Sequence, residues 1–320
     1  MDKTNKIWFM IATSLVLIGF TILVAVMWAC NWDFTKLSTE KYETNTYEIS
    51  EDFDSISMNT DTSDIFFAVS NDEVCRVVCY EQENLKHSVH VQDGTLTIEA
   101  VDDRKWYQYI GINFNTSKIT VYLPKAEYTS LFIKGSIGNV EIPSDFKFQG
   151  GNISLSTGHV KFFASASKLI KIKTTTGNIR VENISAGILD LSVSTGGITV
   201  SDVICEDDIN IKVSTGKTNL TDIKCKNVTS SGSTGGIFLK NVIATEKLWI
   251  KRSTGTVRFE DSDATEIFVE TDTGDVIGSL LTDKVFITHT DTGNIDVPKS
   301  ETGGKCEITT DIGDIKITVN

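Results

Sequence analysis

One short phrase, repeated ten times, limits what this chain can fold into more than any other feature. Glycine recurs at Gly138, Gly158, Gly177, Gly196, Gly216, Gly235, Gly255, Gly274, Gly293 and Gly313, each preceded by a pair such as Ser-Thr, Thr-Thr or Asp-Thr. Every step is 19 or 20 residues. Between the glycines the apolar residues alternate: Ile209, Ile211 and Val213 come before Gly216, and Thr218, Leu220, Ile223 and Cys225 follow it. A period of two means strands with one buried face. One such unit cannot cover its own apolar side, whereas units stacked about 4.8 Å apart share a continuous core. The expected fold is therefore all-β, a parallel β-solenoid of about ten coils of 19–20 residues. Glycine fits the bend between strands because a positive φ costs it little. The Ser or Asp two residues earlier is expected to bond the turn backbone. The Thr before each glycine, from Thr157 to Thr292, should form an exposed ladder.

The remaining 130 or so residues read differently. From Ile7 to Cys30 no residue is charged. At about 1.5 Å per helical residue this stretch covers the roughly 30 Å core of a bilayer. Trp8 stands at one end, Trp28 and Trp32 at the other, and Lys3 and Lys6 precede the span. The positive-inside rule then places residues 1–6 in the cytoplasm and the C-terminal part outside; a long signal peptide is the alternative. Cys30 follows a poor lipobox, Met27-Trp28-Ala29, and reads as a cysteine at the membrane face. Residues 31–46 are expected as a tether and 47–130 as an irregular β cap. Within that cap Thr60 to Ile65 resembles a degenerate first turn, and Asp93-Gly94 signals a hairpin. Residues 131–320 should form the regular coils. The chain stops seven residues past Gly313, an open edge that leaves two readings, end-to-end association or a cap folded from elsewhere.

The chemistry is sparse. A net charge of −13 argues against nucleic-acid binding. With four His and six Cys, and no zinc spacing, no cofactor and no catalytic residue are expected. Asp272-Thr273-Gly274 and Asp291-Thr292-Gly293 imitate aspartic-protease triplets, but they are later copies of the repeated turn. Asp272, Asp291 and Asp311 should stack at one turn position, with Asp275 and Asp314 nearby, forming a solvated acidic edge or a Ca²⁺ site. Cys205 and Cys225 should face inward on adjacent coils, as thiols or as a marginal disulfide. His289 is isolated. Gly232 and Arg252 interrupt positions that are apolar elsewhere. Six residues before the turn glycine, where side chains point outward, stand Trp249, Phe268 and Ile287. On consecutive coils these would make an apolar stripe for a protein or glycan partner, flanked by the pairs Lys247–Glu266 and Lys251–Glu270.

The span at 7–30, the phrase Asn59 to Ile65, and turns such as Ser194-Thr195-Gly196-Gly197-Ile198 together resemble the bacterial putative-adhesin domain family, which includes LiaG-like envelope proteins. The resemblance covers about residues 47–320. It implies a membrane-anchored, non-enzymatic envelope protein linked to adhesion or envelope stress. A solenoid enzyme acting on polysaccharide is the rival reading, because clustered carboxylates are what such chemistry needs.

Overall fold

The computed structural model describes residues 3–33, 41–104 and 115–320. Helix α1 (Lys3–Ala29) comes first. Its segment Asn5–Ala29 is long and apolar enough to cross a bilayer, a property that export signals share. Asn31 and Trp32, both at positive φ, close its C-terminus, and Trp32 N–H donates to Met27 O at 2.8 Å. Residues 34–40 of the expected tether lie outside the described residues, and its last five belong to a strand.

Among the described residues every later element is a β-strand. The N-terminal strands are β1 (Tyr42–Ile49), β2 (Ser55–Val69), β3 (Cys75–Gln82), β4 (Leu85–Gln92), β5 (Thr95–Asp102) and β6 (Ser117–Leu123). Next come β7 (Glu127–Ile137), β8 (Val140–Ile142), β9 (Lys147–Thr157), β10 (Val160–Phe162), β11 (Ser165–Thr176) and β12 (Ile179–Thr195). The middle coils hold β13 (Ile198–Cys205), β14 (Asp208–Thr215), β15 (Thr218–Thr234), β16 (Ile237–Thr254) and β17 (Val257–Thr273). The chain ends with β18 (Val276–Leu280), β19 (Lys284–Thr292), β20 (Ile295–Asp296), β21 (Gly304–Ile312) and β22 (Ile315–Val319).

From β7 onward every pairing is parallel, and as far as β18 partners lie one coil apart, as in Leu189 with Ile209 or Thr195 with Thr215. The alternating residues face a common lumen: Ile179, Val181, Ile184, Ala186, Leu189, Leu191 and Val193 are each at most 3% exposed. The glycines form a column linked by backbone bonds, for instance Gly158 N–H to Thr176 O and Gly177 N–H to Thr195 O, both 2.9 Å. Gly177 has φ 146°, and a Cβ there would lie 1.9 Å from Gly158 O, so this site requires glycine twice over. The brace expected from the preceding Ser or Asp is absent. Ser156, Ser194 and Asp272 are exposed, and the bracing comes from the residue after the glycine. Asn139 N–H donates to Asp64 Oδ1, His159 N–H to Asn139 Oδ1, Asn178 N–H to His159 Nδ1 and Gly197 N–H to Asn178 Oδ1, at 2.7 to 3.0 Å.

A second corner follows six residues after the glycine. Asn183, Asp202, Asp222, Asn241 and Asp261 all sit at φ between 49° and 54°, the left-handed region that Asn and Asp tolerate best after glycine. The five coils that begin at Gly177, Gly196, Gly216, Gly235 and Gly255 thus bend both at glycine and at Asn or Asp.

The anomalies at 232 and 252 are one feature. Arg252 is 2% exposed and turns into the lumen beside Gly232, whose missing side chain makes room for it. Its guanidinium donates to Ser230 Oγ at 2.8 Å, Thr218 Oγ1 at 3.3 Å and Lys251 O at 3.0 Å. The register through Gly232, Arg252 and Thr271 is unbroken.

The two ends depart from simple stacking. At the N-terminal end β2 is already a coil, parallel to β7, β8, β5 and β6. Its Ser63 heads the glycine column, which places the phrase Thr60 to Ile65 at a first turn. Antiparallel β1, β3 and β4 close this end. At the other end the rungs do not follow chain order. Strand β17 pairs with β21, and β21 with β19; β18 pairs with β22, and β22 with β20. The last coil is intercalated between the two coils that precede it in sequence. The open edge expected at Asn320 therefore belongs to β19 and β20, while Asn320 N–H is bonded to Leu280 O at 3.0 Å.

Candidate functional site

Intercalation rearranges the outward stripe. Trp249 and Phe268 are neighbours on adjacent rungs as expected. Phe268 then meets Glu307, and only Glu307 meets Ile287. Ile287 is 51% exposed and two rungs from Phe268, so the three-residue apolar stripe is not formed. In its place is a mixed surface. A groove of about 220 Å³ runs along Trp249, Phe268, Glu270, Asp272, Glu307 and Asp311. Its floor is half-buried aromatic and its wall is acidic.

Two lysines cover the Phe268 ring. Lys247 Nζ is 4.9 Å and Lys305 Nζ 5.1 Å from the ring centroid, close enough for cation–π attraction. Each is also ion-paired, Lys247 with Glu266 at 3.5 Å and Lys305 with Glu307 at 2.6 Å. The expected pair Lys251–Glu270 closes at 2.7 Å and holds the Lys251 ammonium above its usual range. Glu307 and Lys305 were missed in the sequence because they join this face only through the changed rung order.

The acidic ladder is present with its order altered, so that Asp311 stands between Asp272 and Asp291. All three are exposed. Asp291 Oδ1 is 2.9 Å from Nε2 of the exposed His289. Asp275 and Asp314 are committed elsewhere: Asp314 N–H donates to Asp275 Oδ1 at 2.9 Å, and Asn294 N–H to Asp314 Oδ1 at 2.8 Å. Thr157 through Thr273 do form a ladder, which Ile312 interrupts before Thr292. Cys205 and Cys225 are buried thiols; Cys205 Sγ donates to Gly187 O at 3.1 Å.

The family model described as Toastrack DUF4097 matches this chain twice, over residues 53–207 and 204–320. Among solved structures, one described as a putative lipid binding protein from Parabacteroides distasonis is 20% identical, with a TM-score of 0.54 over 88% of this chain and 98% of its own. A putative adhesin from the same species is 12% identical, with a TM-score of 0.51 over the same shares. At these identities the likeness is one of fold. No curated protein matches the chain.

Proposed function

We propose, from the premise that this chain belongs to the Toastrack DUF4097 family, that it is an extracytoplasmic, adhesin-like interaction scaffold held at the cell membrane by α1. The observation that carries this reading is the groove at Trp249 and Phe268. It is an aromatic floor with an acidic wall, presented on a ladder of parallel strands that cannot easily deform. Aromatic faces stack on apolar sugar faces or anchor protein side chains, and carboxylates bond hydroxyls and amines. The partner is a protein or a cell-wall glycan, and the link to envelope stress would follow from that contact. The names of the two structural neighbours, an adhesin and a lipid binder, agree with a binding role.

Membrane attachment rests on the length and apolarity of α1, with the lysines before it setting the cytoplasmic side. The rival, an enzyme acting on polysaccharide, draws on the carboxylates of the same groove. Binding of purified cell-wall glycan to the full-length chain in detergent, with a parallel screen for reducing ends, separates the two. Binding without cleavage, weakened at least tenfold in Trp249→Ser and Phe268→Ser, is the expected result. Cleavage would favour the enzyme, and unchanged binding in both folded variants would remove the groove. The unpaired edge of β19 and β20 is the place where a second copy would add, which sedimentation at increasing concentration would reveal.

A further inference from the structure

The closed N-terminal end contains a polar cluster where a solenoid cap would be expected to be apolar. Cys79 and Glu81 project inward from β3, and His87 from β4. They are 0%, 0% and 4% exposed. The β3–β4 hairpin, turning at Gln82 and Leu85, brings His87 back over Glu81. The carboxylate is heavily engaged. Glu81 Oε2 accepts from His87 N–H at 2.8 Å and lies 2.6 Å from His87 Nδ1, while Oε1 accepts from Asn45 Nδ2 at 2.8 Å. Tyr47, on the covering strand β1, donates to His87 O at 3.0 Å. The other ring nitrogen, His87 Nε2, is buried and has no partner. An unpartnered buried polar atom costs about 1–3 kcal/mol, so the fold keeps this ring in the cap at a cost.

We propose that Cys79, Glu81 and His87 form a binding site for a zinc-class divalent cation. One ligand atom from each lies within 4.8 Å of the other two, and among the described residues no other such group of three occurs. The donor set is thiolate, imidazole and carboxylate, which suits Zn²⁺ and not Ca²⁺. Glu81 Oε2 and His87 Nδ1 face each other at 2.6 Å, so a cation seated beside Cys79 would replace the proton shared between them and take Nδ1 as its imidazole ligand. A carboxylate has about four lone-pair positions, and three bonds to Glu81 leave room for one further contact. Binding would release the proton of Cys79. The cluster ties β1, β3 and β4 together, so the ion would act as a clasp on the closed end.

The test uses the full-length chain in detergent, stripped with chelator and titrated with Zn²⁺ or Co²⁺. The expected result is one ion per chain and, with Co²⁺, a near-ultraviolet thiolate-to-cobalt band. Both should be lost in Cys79→Ser and His87→Gln and kept in Cys225→Ser. The band in the unmodified protein reports thiolate ligation directly, so the proposal does not depend on the variants folding. Absence of the band, no uptake of Zn²⁺, or equal uptake in folded Cys79→Ser and in the parent chain would overturn it and leave the cluster as a hydrogen-bonded plug.

Discussion

At the scale of single residues, the repeated glycine and the buried thiols carry the testable chemistry. Gly177→Ala meets two penalties, a positive φ worth about 1–3 kcal/mol and a Cβ 1.9 Å from Gly158 O. Its denaturation midpoint should fall well below that of the parent; an unchanged midpoint would contradict the stacked column. Burial pushes Cys75, Cys225 and Cys306 up to about 12 and Cys205 up to about 11. Unfolded thiols ionise from about pH 9 while the folded ones stay protonated, so the unfolded state holds fewer protons and stability falls as pH rises from 9 toward 12. The slope is up to about 1.4 kcal/mol per pH unit for each thiol. Denaturation at pH 8 and pH 10 should show the loss, and Cys225→Ala should lessen it; a flat profile would contradict the burial of these thiols. Arg252 works in the opposite sense, because burial lowers it to about 10, but its effect begins only above that pH. The inward residues and the glycine column were legible in the sequence because period and spacing report them directly. The Asn and Asp corner was also written there, six residues after the glycine, but mixed identities hid it. The Cys79–Glu81–His87 cluster was not legible, since its members meet across a hairpin and lack zinc spacing.

At the scale of elements, intercalation of β21 and β22 is the main departure from expectation. Glycine steps fix the length of a coil and say nothing of the order in which coils stack. Steps of 19, 19 and 20 lead through Gly274, Gly293 and Gly313, although the spatial order is 274, 313, 293. A buried ion pair bridges the inserted rung. Lys284 Nζ reaches Asp263 Oδ1 at 2.6 Å, with both side chains nearly inaccessible. Lys284 sits on β19 opposite Gly304 of β21, and a Cβ on Gly304 would lie 1.9 Å from Thr265 O. Glycine thus lets the inserted rung approach the Thr265 backbone closely, and the lysine reaches past that rung to Asp263 of β17. Removing one partner of a buried pair costs about 3–5 kcal/mol. Lys284→Met should therefore loosen the last coils and admit protease at residues 297–303, and adding Asp263→Leu should restore most of the resistance. Protection as in the parent chain would show that the pair does not hold the order.

At the scale of the whole molecule, the solenoid has unlike ends. One is closed by antiparallel strands around a buried polar cluster. The other is open, and Ile295 is 47% exposed there. Cross-rung ion pairs such as Lys161–Glu141 at 3.0 Å and Lys171–Asp190 at 2.9 Å lie on the outer faces; each contributes at most about 1 kcal/mol, so the lumen holds the coils together. The groove at Trp249 and Phe268 exists in its observed form only because the last coil inserts beside it and contributes Glu307 and Asp311. Rung order is therefore the claim on which site and fold both depend, and cysteine cross-linking tests it directly. In-register neighbours are about 4.8 Å apart, within disulfide reach, and positions two rungs apart are not. With Cys30 replaced by Ser, the pairs Thr273→Cys/Ile312→Cys and Thr292→Cys/Ile312→Cys should oxidise to peptides identifiable by mass spectrometry, and Thr273→Cys/Thr292→Cys should not. A bond between positions 273 and 292, with none to 312, would mean that the coils stack in chain order and that the groove described here does not form.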